Sequence, residues 1–151
     1  MAKELNQRVI AERSAWIQDM LSRLRQLTAE SHESFGSDPY RAAAAESFLR
    51  RALEALLDLG RHVLAKGFGS PVSEYKDVAR SLVRVGVLTQ EQGQILIQLA
   101  GYRNRLVHFY GEVSEEELHH ICAERLGDVE VILAAILRWV AENPGFVARA
   151  E

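Results

Sequence analysis

Proline is nearly absent from this chain. Pro39, Pro71 and Pro144 are the only three in 151 residues, and each stands where the surrounding pattern breaks. A helix interior excludes proline because the ring removes a backbone donor and clashes with the turn before it. Between the prolines, apolar residues recur at intervals of three and four with almost no alternation of period two. Long helices are therefore the expected material of the fold, and the sequence predicts five.

The first is predicted from about Lys3 to Glu30, with Leu5, Val9, Trp16, Met20, Leu24 and Leu27 on one stripe. The linker SHESFGSD, which carries His32, ends in Asp38-Pro39, an N-cap followed by proline at the first helical position. The second helix is predicted to run to about Lys66, with Gly67 as a left-handed terminator. A shorter third spans about Glu74 to Val85 and stops at Gly86. Thr89 with Gln92 makes a capping box for the fourth, Gln90 to about Tyr110, closed by Gly111. Ser114 with Glu117 makes another for a single fifth helix, expected to continue to Glu142 before Asn143-Pro144. The economical architecture is all-α: an up-down bundle of four main helices with one short accessory helix.

With 48% hydrophobic and 26% charged residues, no repeat and no shift in composition, residues 1–151 read as one packed domain. The single cysteine, Cys122, excludes an intrachain disulfide and a multi-cysteine zinc site. No apolar run approaches the roughly 20 residues that span a bilayer, and MAKELNQRVIAERSAW lacks a signal-peptide core. A cytoplasmic protein with no membrane segment is expected. The net charge of −3 speaks against a wholly basic nucleic-acid glove. The charge is uneven, however: residues 76–110 carry five Lys or Arg against two acids, and residues 111–151 three Arg against nine acids.

The chemistry is concentrated in YRNRLVHFYG, residues 102–111. Arg103, Asn104, Arg105, His108 and Tyr110 crowd the last turns of the fourth helix with no acid among them. On a regular helix Arg103 and Tyr110 fall within about 20° of each other, whereas Arg103 and His108 are about 140° apart. Those two side chains can meet one substrate if the helix end loosens before Gly111. They can also do so if two copies of the helix face each other across a two-fold axis, where each residue meets its own mate. Imidazole moves protons near neutral pH, and guanidinium holds phosphate with a fixed charge and a planar fork. Such a set suits metal-free RNA cleavage, in which the ribose 2′-hydroxyl is the internal nucleophile. The structural alternative is a histidine favoured by the helix dipole and an Arg/Tyr pair tying the bundle end together.

The octet RNRLVHFY, residues 103–110, is similar to the Arg-X4-His-X-Tyr motif of the HEPN superfamily, and more narrowly to its HepT-like toxins, formerly DUF86-type domains. AESFLRRALEALLDLGRHVLA (45–65) and SEYKDVARSLVRVGVLTQEQ (73–92) resemble the family's second helix and its short helix and turn, so the likeness covers about residues 40–121. It implies a HEPN-like bundle that dimerises into a composite, metal-independent endoribonuclease, the toxin of a type VII-like toxin–antitoxin pair. Arg103 and His108 would be catalytic, with Asn104 supporting. Tyr110 would accept AMP from an MNT-type nucleotidyltransferase antitoxin. Arg105 is not a motif position and stands as a candidate RNA contact. RNA, a second copy of the chain and the transferase are the implied partners, and no cofactor or metal is implied. The alternative is a non-catalytic helical module that binds the nucleotidyltransferase.

Other clusters have simpler explanations. His119, His120 and Cys122 open a capped helix rather than a metal site, and Cys122 reads as a small buried residue. Arg61 and His62 suit a helix C-terminus, although a place in the cleft is the competing reading. Arg50-Arg51 reads as a solvated face, His32 as surface, and Trp16 and Trp139 as packing.

Overall fold

The computed structural model describes residues 3–29, 35, 37–108 and 113–149. Among the described residues six α-helices carry the fold: α1 Gln7–Leu27, α2 Pro39–His62, α3 Val78–Arg84, α4 Gln90–His108, α5 Glu115–Glu124 and α6 Leu126–Glu142. The only bridge among the described residues is an isolated parallel one between Leu5 and Val147. The expected all-α bundle is what the chain forms. Among the described residues no helix is long and apolar enough to cross a membrane. Tyr110, Gly111 and His32 lie outside the described residues.

The helix starts follow local chemistry. Asn6 caps α1, its side chain accepting from the Val9 N–H at 3.1 Å. Asp38 caps α2 by accepting from Tyr40 and Arg41, with Pro39 next in line. Thr89 and Gln92 close a reciprocal capping box, each side chain accepting from the other's backbone N–H at 3.1 and 3.0 Å. Ser114 accepts from Glu117 N at 3.1 Å. The return half of that box is not made, because the Glu117 carboxylate is committed to Arg105.

Two departures from the sequence expectation have physical causes. The predicted fifth helix is two, broken at Arg125, whose φ of −112° and ψ of −2° let the chain bend. Its apolar stripe runs unbroken through the bend, with Ile121, Cys122, Leu126 and Val129 all buried. Gly67 does not end α2 in the left-handed conformation. The chain instead passes through a π-helical turn, Val63–Gly67, and takes its positive φ at Gly69, +63°. Gly67 serves packing instead, since a Cβ there would sit 3.3 Å from Leu5 Cδ2. Trp139 packs against Phe68 and Phe146 as expected, but Trp16 is 45% exposed.

α2 is the central element, packed on α1, α4, α5, α3 and α6. Its buried face carries Leu49, Leu53, Leu56, Leu57 and Leu59. Gly60 lets α3 approach, because a Cβ would meet Val78 Cγ1 at 2.8 Å and Leu82 Cδ1 at 3.0 Å.

At the far end of α2, His62 ties α1 to α2 by accepting the Asn6 backbone N–H at Nε2, 3.2 Å. That bond requires a neutral ring. Burial first, and then the charges of Arg13 and Lys66, hold the His62 pKa below its usual 6.5. The unfolded chain therefore binds the proton more readily. The stability carried by His62 is complete above pH 6.5 and is lost as the pH falls below it. We expect the melting temperature to drop less between pH 7.5 and 5.5 in His62→Gln than in the parent, as read by circular dichroism. Identical slopes would contradict this.

Candidate active site

Three elements enclose the site. α4 ends with Arg103, Asn104 and His108. The segment Ser73–Lys76, which leads into the 3-10 turn Tyr75–Asp77, forms the facing wall, and α2 supplies Arg61. Together these residues line an open cavity of about 560 Å³. α4 stays helical through His108, so the end does not need to unwind for the two motif side chains to share a cavity. Instead the cavity is broad enough to take both.

Arg103 is held by its own neighbours. Its Nε and Nη2 donate to Glu54 Oε2 at 3.3 and 3.0 Å, and its Nη1 donates to Asn104 Oδ1 at 3.3 Å. Glu54 is steadied in turn by Arg50 Nη1 at 2.7 Å. A guanidinium has five N–H donors. With its Nε/Nη2 edge on Glu54 and one Nη1 hydrogen on Asn104, two donors remain, one each on Nη1 and Nη2. The side chain is only 19% exposed, so the pair is screened less than a surface ion pair.

Tyr75 fills the wall beneath these cations. The Cζ atoms of Arg103 and Arg61 lie 4.7 and 5.3 Å from its ring centroid, in cation–π range. The Tyr75 hydroxyl donates to Asp58 Oδ1 at 2.7 Å. Burial, reinforced by that hydrogen bond, raises its pKa to about 12, so it remains a donor near neutral pH. Arg61 donates from Nε to the Val72 carbonyl at 3.1 Å and from Nη1 to Asp58 at 3.5 Å. The cavity thus presents three cations (Arg61, Lys76 and Arg103), one carboxylate (Glu74), an amide and an imidazole. That is chemistry for holding a phosphate group beside a proton carrier.

Arg103, Asn104 and His108 line one cavity, and Arg61 joins them, against the helix-end reading. His62 does not; it lines a neighbouring groove with Lys66 and Val72. Arg105 points elsewhere, its Nη1 and Nη2 bonded to the two Glu117 oxygens at 2.6 and 2.8 Å. This pair ties α4 to α5 and holds the Glu117 pKa below the usual carboxylate range. Tyr110 lies outside the described residues. Among the described residues no group of three or more His, Cys, Asp or Glu side chains is placed to hold a metal. His119 packs edge-on against Phe35 at 5.2 Å, and burial raises the Cys122 thiol to about 12.

Sequence reasoning missed Glu54, Asp58 and Tyr75. The first two were within reach: Arg50, Glu54, Asp58 and Arg61 follow one another at four, four and three, which places them on one face of α2. No local pattern marked Tyr75.

The all-helical bundle thus brings arginine, asparagine and histidine of α4 to one cation-lined cavity. The model of the ribonuclease HepT-like family matches residues 17–136, and the chain belongs to that family. Solved structures share the fold. A tri-AMPylated HEPN toxin of Shewanella oneidensis, in complex with its MNT antitoxin, aligns at TM-score 0.78 and 23% identity over 86% of this chain and 97% of that one. A toxin–antitoxin complex crystallised with AMP-PNP aligns at TM-score 0.75 and 23% identity, covering 85% and 97% of the two chains. YutE of Bacillus subtilis, a cytosolic protein of unknown function, aligns at 0.73 and 19% identity over 96% and 98%. No curated protein matches the sequence.

Proposed function

We propose that this chain is the toxin of a type VII-like toxin–antitoxin pair. In this reading it is a metal-independent endoribonuclease that works as a homodimer and is neutralised by AMP transfer to Tyr110. The supporting observation is the shared cavity: Arg103, Asn104 and His108 open onto one space with Arg61 and Lys76, in a chain of the HepT-like ribonuclease family.

The reaction needs a base, an acid and a counter-charge. One His108 imidazole takes the ribose 2′-hydroxyl proton, and the 2′-oxygen attacks the adjacent phosphorus. The bond to the 5′-oxygen breaks, and that oxygen takes a proton from the second His108, contributed by the other copy across the two-fold axis. The products are a 2′,3′-cyclic phosphate and a free 5′-hydroxyl. Negative charge peaks on the phosphorane oxygens, where the two remaining Arg103 donors stabilise it. Glu54 sets the direction of that guanidinium and Asn104 steadies its other end.

Tyr110 follows His108 by two positions. AMP added there by an MNT-type nucleotidyltransferase would place a phosphate and a nucleoside beside the cavity, repelling RNA by charge and bulk. The test is co-expression with a cognate nucleotidyltransferase followed by intact-mass measurement. Growth should recover as the protein gains one or more AMP units, and Tyr110→Phe should show neither effect. Neutralisation of Tyr110→Phe equal to that of the parent would overturn the assignment of Tyr110.

A further inference from the structure

The cavity is not closed at Arg61. This residue also lines a second, adjoining groove of about 430 Å³ that runs along the end of α2 and its π-helical turn. Arg13 of α1, Lys66 of the π-helical turn and Val72 line that groove as well. Its acid is Asp58, already shared among Tyr75, Arg61 and a long 3.9 Å approach from Arg13. Lys66 is exposed and has no ion-pair partner among the described residues. The groove therefore carries an excess of positive charge. The neutral imidazole of His62 registers this excess, since Arg13 and Lys66 both disfavour its protonation.

We propose that this groove is a second phosphate subsite, in which Arg13 and Lys66 hold the backbone of single-stranded RNA beyond the scissile bond and Arg61 joins the two subsites. The inference rests on the ribonuclease reading for the direction of the strand, and on the groove itself for the binding. A continuous polyanion fits both spaces because one guanidinium borders each of them. Arg61 is held by Val72 and Asp58 on one side and lies over Tyr75 on the other. Contacts of this kind carry no base information; they position the strand and make affinity depend on salt.

The test measures binding of a fluorescently labelled 20-nucleotide single-stranded RNA to the His108→Ala protein, which leaves the probe intact. The Arg13→Gln/Lys66→Gln pair is introduced into it, with Lys66→Glu as a second variant at an exposed position. Each lost phosphate contact removes about 0.7 from the slope of log affinity against log salt for a single strand. The pair should therefore flatten the slope by about 1.4 and weaken binding on the order of tenfold near 0.1 M salt. Lys66→Glu should weaken binding at least as much as loss of one contact. In the active parent, the same pair should raise KM for the 20-mer while leaving cleavage of a dinucleoside monophosphate unchanged. Unchanged affinity and slope in folded variants would overturn the subsite. Weaker binding of the nucleotidyltransferase with unchanged RNA binding would overturn it too, and assign the groove to that protein. If the parent binds the 20-mer through the groove but cuts no RNA, the subsite stands and the ribonuclease reading fails.

Discussion

His108→Ala is expected to lower RNA cleavage by about 10²–10⁴-fold, the usual contribution of a positioned general acid or base. The helical melt should barely move. His108 is exposed at the end of α4 and takes no part in the buried core. In a composite site the substitution removes both proton carriers at once, so the upper part of that range is expected. Cleavage of a labelled RNA by matched amounts of the two proteins, with circular dichroism melts beside it, measures both effects. A folded His108→Ala protein that cuts at the parent rate would remove the mechanism.

Leu53→Ala should produce the opposite pattern. Leu53 is fully buried on the central helix and adjoins Glu54, the residue that holds Arg103. Replacing a buried leucine by alanine costs about 2–5 kcal/mol through lost transfer energy and the cavity left behind. In a domain of this size each kcal/mol shifts the melting temperature by about 2–4 °C, so a fall of roughly 7–14 °C is expected for a mid-range cost of about 3.5 kcal/mol. Below its transition the variant should retain most of its cleavage activity, because α2 still presents Glu54. Chemical denaturation and thermal melts read the first effect, and cleavage at low temperature the second. A loss below 1 kcal/mol would mean that α2 is not the central packing element.

The fold was largely legible because most of its signals are local. Asp38-Pro39, Thr89-Gln92 and Ser114 mark helix starts through bonds made within three residues. The bend at Arg125 was not legible, since the buried stripe from Ile121 to Val129 crosses it unbroken and no proline marks it. The π-helical turn was hidden for a similar reason: Gly67 looks like a terminator, but its lack of a side chain serves Leu5, about sixty residues away in sequence. At the site, the motif on α4 was visible as a run of polar groups without acids. The acids that organise it come from other helices, Glu54 to Arg103 and Glu117 to Arg105. Periodicity shows which faces are buried but not which helices meet, so pairings between elements such as these stayed out of reach.

If His108 and Arg103 serve the substrate's own 2′-oxygen as nucleophile, cleavage must depend on that oxygen and on no metal. The direct measurement uses purified protein with excess chelator and two RNA oligonucleotides, identical except for a single 2′-deoxy substitution at the mapped cleavage position. The all-ribose strand should yield a 2′,3′-cyclic phosphate and a 5′-hydroxyl, and the deoxy strand should be left whole at that position. Cleavage of the deoxy strand there, or cleavage of the ribose strand that stops with chelator and resumes with added metal, would contradict it.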